Sequence, residues 1–100
     1  MVQTMTLIGE RSNHILGLLE DFWDRLPDVA NTIASWGDDE QLDFVMDQVP
    51  SRFNLLQELV EYADTGHLTP EQMTRYLALT RLVERNQPSL DKVRAWWTAP

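Results

Sequence analysis

The only two histidines of the chain, His14 and His67, each follow a carboxylate at short spacing. Glu10 lies one helical turn before His14, and Asp64 lies three residues before His67. Acid and histidine pairs of this kind bind metals inside helical bundles when their side chains project inward. Here Glu10 and His14 fall on the polar side of their predicted helix, and His67 follows a helix-ending glycine. Two surface histidines are the preferred interpretation, and a helical-bundle metal-binding protein is one alternative.

Two other patterns suggest metal or acid–base chemistry, and both have a simpler structural explanation. Three carboxylates recur at every third position of one helix: Glu58, Glu61 and Asp64. They form the polar edge of an amphipathic helix, where charged side chains are expected to face water. A calcium loop centred on Gly66 fails, because Ala63 and Gln72 stand where coordinating side chains are needed. The chain also lacks cysteine, a nucleophile elbow and a glycine-rich phosphate loop, so we predict neither enzymatic activity nor a cofactor.

The net charge of −8 is distributed unevenly along the chain. Residues 1–66 carry 13 acids and 3 arginines, a net charge of −10, whereas residues 67–100 carry 3 acids and 5 basic residues, a net charge of +2. An acidic body repels phosphate backbones, so only the C-terminal third has the positive charge needed to bind nucleic acid. A nucleic-acid-binding regulator that uses the basic C-terminal helices is therefore a second alternative. Its phosphate contacts would come from Arg81, Arg85, Lys92 and Arg94.

The elements that position these residues are predicted to be helices, and the clearest of them spans Ser51–Asp64. Its apolar side chains share one face of a helix and its polar side chains share the other, as burial of one face requires. The apolar face consists of Phe53, Leu55, Leu56, Leu59, Val60, Tyr62 and Ala63. We predict that the remaining helices pack against this face.

The first helix is predicted to run over Thr6–Leu26. Ser12 is an alternative start, because Gly9 and Gly17 weaken the helix. The helix should stop or bend at Pro27, because proline removes a backbone donor and clashes with the preceding turn. Pro27 would then begin a second, short helix that ends at Gly37. Whether 27–49 forms one bent helix or two is left open by the sequence.

A third helix is predicted to begin at Asp38, with Gln41 as its capping partner three residues later. Spacings of three and four residues predict that its inward stripe consists of Leu42, Val45, Met46 and Val49. Pro50 is predicted to end this helix and to begin the helix that follows.

The strongest local signals lie after the 51–64 helix. Gly66 is placed to terminate that helix, and Thr69 with Gln72 forms a capping box around a proline at the first helical position. The next helix is predicted to direct six side chains inward: Met73, Tyr76, Leu77, Leu79, Thr80 and Val83. A last helix is predicted to follow Pro88, with Ser89 as its N-cap. Its inward residues are predicted to include Leu90 and Val93.

Short connections and the lack of an alternating strand pattern predict an all-α fold, a compact bundle of four to six short antiparallel amphipathic helices. The chain is predicted to form one domain over 1–100, with frayed ends at about 1–5 and 98–100. It contains neither the pattern of a secretory signal nor a run of about 18 apolar residues, so we expect a cytoplasmic protein that does not enter membranes.

The chain contains four tryptophans in 100 residues, which is a surplus of large apolar rings. Trp23 lies at the edge of the first helix's apolar arc. Trp96 and Trp97 are adjacent, so both cannot point inward from one helix. Exposed tryptophan favours a protein interface. The alternative is a C-terminal helix that clamps the bundle with both rings half buried.

Taken together, these patterns predict a non-enzymatic protein–protein interaction module, such as an adaptor, an assembly factor or a small subunit of a complex. Its predicted working surfaces are an acidic face and a tryptophan-bearing C-terminal edge, and its partner presents a basic patch. A homo-oligomer and a mimic of nucleic-acid charge are further versions of this hypothesis. The predicted partner-binding residues are Trp23, Asp38, Asp39, Glu40, Asp43, Asp47, Trp96 and Trp97.

Overall fold

The chain folds into helices that pack side by side. The computed structural model describes the backbone of residues 2–98 and the side chains of residues 7–95. In chain order the helices are α1 (Val2–Thr32), α2 (Asp38–Asp43), α3 (Val49–Asp64), α4 (Pro70–Arg85) and α5 (Gln87–Thr98). A 3₁₀ turn (Ile33–Ser35) follows α1, and a π-helical turn (Phe44–Gln48) joins α2 to α3. The predicted all-α class is confirmed, since the described backbone contains no strand. Residues 1, 99 and 100, within the predicted frayed ends, lie outside the described residues.

α1 continues for 31 residues and passes through Pro27. The predicted end at Leu26 and the predicted separate helix after Pro27 are therefore both wrong. A proline inside a helix leaves the carbonyl four residues earlier without its helical donor, and here that carbonyl belongs to Trp23. The side-chain amide of Asn86 donates to the Trp23 oxygen at 2.6 Å, and both residues are buried. A contact from the junction of α4 and α5 thus replaces the bond that Pro27 cannot make.

The core is built around α1, not around α3. The buried residues of α1 are Ser12, Ile15, Leu16, Leu19, Phe22, Trp23, Leu26 and Ala30. α3, α4 and α5 each pack against this helix, whereas α4 and α5 make few contacts with α3. Within α3 only Val49 and Leu59 are buried, and the rest of its apolar face is half buried. The prediction that the other helices pack against the apolar face of 51–64 therefore holds for α1 but not for α4 and α5, which pack mainly on α1.

Side-chain contacts give the directions of α3 and α4 along α1. Along α3 the contacts run in the opposite order: Arg11 with Glu58, then Trp23 with Phe53. Along α4 they run in the same order: Asn13 with Gln72, Glu20 with Arg75, then Trp23 with Asn86. α3 and α4 therefore lie on α1 in opposite directions. The expectation of antiparallel neighbours does not extend to α1 and α4, which run parallel.

The chain turns a corner between the 3₁₀ turn and α2. Residues 27–32 belong to α1, and a separate helix begins after Gly37, which is the N-cap of α2 in an extended conformation. The predicted capping box of Asp38 and Gln41 is wrong, because no side chain caps α2. Instead the Gln41 amide donates to the Ile33 carbonyl at 2.7 Å in a buried site. This bond ties α2 to the first residue of the 3₁₀ turn.

The π-helical turn changes which side chains of this segment face the core. Leu42 and Met46, predicted to point inward, are 46% and 57% exposed. Phe44 and Val49 are buried, and their five-residue spacing is that of π-helical hydrogen bonds. In a regular helix the ring of Pro50 would clash with the Met46 carbonyl, and a wider turn at this point relieves that clash. Helical conformation therefore continues through Pro50, where the sequence predicts a break.

The local signals between α3 and α4 are confirmed. Gly66 has a φ of 76°, a left-handed conformation that favours glycine. The His67 amide donates to the Tyr62 carbonyl at 2.9 Å, which closes α3 in a Schellman motif. Thr69 and Gln72 form the predicted capping box at the start of α4.

The buried side chains of α4 and the first residue of α5 differ in detail from the predictions. The buried and half-buried residues of α4 are Gln72, Arg75, Tyr76, Leu79, Thr80, Leu82 and Val83, and buried Asn86 follows as the C-cap. Met73 and Leu77, which were predicted to point inward, are 36% and 49% exposed. They face outward because the side of α4 that contacts α1 is the one that carries the polar residues bound to α1. α5 begins at Gln87, so Ser89 lies inside it and is not its N-cap. Leu90 and Val93 are buried as predicted. In the part of the chain that the structure describes, no helix has the length and apolar character to cross a membrane.

Candidate protein-interaction surface

Five exposed side chains of α2 and the π-helical turn form one continuous surface, which we term the acidic patch. It consists of Asp39, Leu42, Asp43, Met46 and Asp47, which together line a shallow depression. The two apolar side chains are four residues apart, and the three carboxylates are also four residues apart. The patch therefore places a short apolar stripe beside a row of negative charge.

Folding alone does not account for this arrangement. Like charges four residues apart on a helix oppose its formation by about 0.2–0.5 kcal/mol per pair. Leu42 and Met46 leave much of their apolar area in water, where it contributes little to stability. Among the residues that the structure describes, Asp43 is the one patch carboxylate with a side-chain partner, since the Gln48 amide donates to it at 3.0 Å. A surface that does not favour its own folding is a candidate for binding something else.

The structure places the predicted acidic residues together on this segment. Asp38, Asp39, Glu40, Asp43 and Asp47 are all exposed, and the first three lie in the first turn of α2. Negative charge at that end of a helix is favourable, so Asp38, Asp39 and Glu40 also have a structural role. Sequence reasoning missed Leu42 and Met46, which it assigned to the core. Their four-residue spacing beside equally spaced acids is the signal that could have identified them.

Of the three tryptophans predicted to bind a partner, only Trp23 has a side chain that the structure describes. Trp23 is 1% exposed and packs edge-on against Phe22 and Phe53, with ring centroids 5.8 and 6.1 Å apart. It belongs to the core, so its assignment as a partner-binding residue is wrong. The side chains of Trp96 and Trp97 lie outside the described residues, and their role in binding stays a prediction.

Several acids outside the patch are neutralised within the fold. The Glu20 carboxylate accepts two hydrogen bonds from Arg75, at 2.6 and 3.2 Å. Asp21 pairs with Arg25 at 3.1 Å one turn later on α1. The pairing of Glu20 and Asp21 weakens the hypothesis of a nucleic-acid charge mimic. That mimic would use nine carboxylates: Glu20, Asp21, Asp24, Asp28, Asp38, Asp39, Glu40, Asp43 and Asp47.

The acid row on α3 contains one residue with a clear structural partner. Arg11 donates to both carboxylate oxygens of Glu58, at 2.8 and 3.0 Å, and the Tyr62 hydroxyl donates at 2.8 Å. The hydrogen bond from Arg11, with a smaller contribution from Tyr62, lowers the pKa of Glu58. The same carboxylate raises the pKa of Tyr62. Glu61 and Asp64 are exposed, as expected for a solvated helix face.

The histidines lie at separate surface positions. His14 and His67 are both exposed, and the Nδ1 atom of His67 lies 2.6 Å from the Thr65 hydroxyl. Among the residues that the structure describes, no three side chains of histidine, aspartate or glutamate are grouped as metal ligands. The geometry thus offers no specific support for the metal-binding alternative.

The basic residues of the C-terminal third are engaged largely within the protein. Arg75 binds Glu20, Lys92 donates to the Asn31 side chain at 3.2 Å, and the Arg94 guanidinium lies 5.1 Å from the centre of the Phe53 ring. Arg81 and Arg85 are exposed on α4. These two positive charges form a small basic surface to which a phosphate backbone can bind.

No protein-family model, curated protein or solved structure matches this chain. Its function has to be inferred from its own surface.

Proposed function

We propose that this protein is a non-enzymatic protein–protein interaction module that binds a basic partner through the acidic patch. The observation that carries the proposal is the exposure of Leu42 and Met46, at 46% and 57%, beside three carboxylates. An adaptor, an assembly factor and a small subunit of a complex are all roles in which such a surface serves.

The chemistry of the patch favours a partner with a basic and apolar surface. The carboxylates select a surface that carries arginine or lysine, and they accelerate its approach at low ionic strength. The two apolar side chains supply affinity only where the partner excludes water from them. A helix with an apolar stripe flanked by basic residues meets both requirements, because its side chains recur with the same four-residue spacing.

The apolar part of the proposal is tested by comparing Met46→Ser with Leu77→Ser in affinity capture from the source organism's lysate. Both variants remove an exposed apolar side chain from a helix, but Leu77 lies on α4, outside the patch. We expect one stoichiometric protein partner whose recovery is lost with Met46→Ser and retained with Leu77→Ser. Equal recovery with both variants would contradict a binding role for the patch.

The electrostatic part is tested on the captured partner with Asp47→Asn and, as a matched control, Glu61→Gln. Each substitution removes one exposed carboxylate, and Glu61 lies on α3 outside the patch. Asp47→Asn should slow association and reduce its dependence on salt, whereas Glu61→Gln should have a smaller effect. If raising the salt concentration leaves the association rate of the unmodified protein unchanged, the partner does not bind through a basic patch.

A further inference from the structure

A second concave surface, distinct from the acidic patch, lies where α1, the corner at Trp36, the π-helical turn and α3 meet. This groove has a volume of about 350 Å³, within the range of small-ligand pockets. Its lining includes Phe22, Trp36, Phe44, Asp21, Arg25 and Arg52. None of these residues belongs to the acidic patch.

The aromatic side of the groove is held rigidly by contacts between its rings. Phe44 stacks on Phe22 with ring centroids 5.7 Å apart and planes inclined by 19°. Trp36 meets Phe44 edge-on, with centroids 5.6 Å apart and planes at 89°. Phe22 and Phe44 are buried, whereas Trp36 is half buried and lines the groove. A planar aromatic ligand can therefore pack against Trp36 without reordering the wall.

The polar side of the groove contains Arg52, which forms no ion pair with any side chain that the structure describes. The Arg52 guanidinium lies 6.0 Å from the centre of the Phe22 ring, and its Nε atom is buried without a hydrogen-bond acceptor. The neighbouring Arg25 differs, because Asp21 pairs with it at 3.1 Å. An unsatisfied donor is unfavourable, so an anion bound by the part of the Arg52 guanidinium that lines the groove would compensate its charge.

We propose that the groove binds a small aromatic carboxylate, with its ring against Trp36 and its carboxylate on Arg52. A guanidinium is planar and donates two parallel hydrogen bonds to a carboxylate. One uncompensated positive charge matches a monoanion, whereas the net charge of −8 opposes a dianionic phosphate.

The Arg52 Nε–H resonance in a ¹H–¹⁵N NMR spectrum reports directly on the unsatisfied donor. Indole-3-acetate is the probe, and indole-3-acetamide is the control with the same ring and no charge. We expect a saturable shift of the Arg52 signal by the carboxylate, with a Kd at or below about 1 mM. The amide should bind at least about tenfold more weakly, because a charge-assisted bond is lost. No shift at Arg52 up to about 10 mM carboxylate would overturn the proposal.

Three variants separate a ligand site from a packing feature. Arg52→Gln should weaken binding of indole-3-acetate at least about tenfold, and Arg52→Lys should weaken it less, because lysine keeps the charge but loses the planar fork. Arg81→Gln removes an exposed charge elsewhere and should leave the Kd unchanged. If Arg52→Gln does not fold, the Kd of Arg52→Lys for indole-3-acetate tests the assignment instead. An unchanged Kd in a folded variant at position 52 would overturn the assignment of the carboxylate to this arginine.

Discussion

The side-chain amide of Asn86 binds the main-chain carbonyl of Trp23, four residues before Pro27, at a distance of 2.6 Å. That carbonyl is the one that Pro27 leaves without a helical donor. The bond also links the junction of α4 and α5 to the middle of α1. One buried amide therefore satisfies a helix defect and fixes two elements of the bundle.

Replacing Asn86 with alanine should destabilise the protein by about 1–3 kcal/mol, because the buried Trp23 carbonyl loses the side-chain amide that donates to it. Thermal unfolding measures this loss, at roughly 4–8 °C for each kcal/mol in a domain of this size. Asn54→Ala is the matched control on the exposed side of α3, and it should change stability by no more than about 0.7 kcal/mol.

A double-mutant cycle with Pro27→Ala tests the reason for that loss. Alanine at position 27 supplies the missing amide donor to Trp23, so the Asn86 side chain becomes less important. The effect of Asn86→Ala should therefore be at least about 1 kcal/mol smaller in the Pro27→Ala background. An identical effect in both backgrounds would show that Asn86 acts by another route.

The course of α1 could not be predicted from its own residues. Pro27 read locally ends a helix, and the residue that allows the helix to continue lies 63 positions away from Trp23. By contrast, the C-terminal end of α3 at Gly66 and the N-terminal end of α4 at Thr69 were predicted correctly, since those signals depend on residues within a few positions. Local chemistry specifies helix ends, and tertiary contacts decide whether a breaker is tolerated.

The candidate surface was predicted in part, for a related reason. Its carboxylates were identified from charge density alone, and all of them are exposed. Leu42 and Met46 were assigned to the core because the α-helical period places them with Val49. The π-helical turn changes that period to five residues, so Phe44 joins Val49 in the core and the other two face outward.

Two glycine substitutions should have opposite effects on stability. Gly66→Ala should lower it by about 1–2 kcal/mol, because a φ of 76° is unfavourable for a residue with a Cβ atom. Gly17→Ala, in the exposed face of α1, should raise it by up to about 1 kcal/mol. At both positions a Cβ atom would meet nothing within 4 Å, so the backbone alone decides the sign. Denaturant unfolding measures both, and two shifts in the same direction would contradict this account.

Glu58→Gln should produce a pH-dependent loss of stability. The pKa of Glu58 is lowered in the folded protein by Arg11, so its contribution is present above its ordinary pKa of 4.5 and is lost as the pH falls through the folded value. The variant should melt a few degrees below the unmodified protein at about pH 7, and this difference should shrink toward about pH 3. Glu61→Gln is the control on the same helix, and a difference equal to that of Glu58→Gln at every pH would contradict the assignment.

Met46→Ser should be nearly neutral for folding, with a change of no more than about 0.5 kcal/mol, because the side chain is 57% exposed. Thermal unfolding of Met46→Ser beside Leu77→Ser checks this. A large loss of stability in the first variant alone would mean that Met46 belongs to the core, and its exposure could then not be read as a binding feature.

The most direct measurement of the proposed function is site-specific photo-crosslinking in the source organism's cells. Met46 or Leu77 is replaced, one at a time, by a benzophenone-bearing amino acid, and the crosslinked products are compared. We expect one covalent adduct with a protein that carries a basic surface, formed from position 46 and not from position 77. No adduct from position 46, or the same adducts from both positions, would contradict the acidic patch as the binding surface.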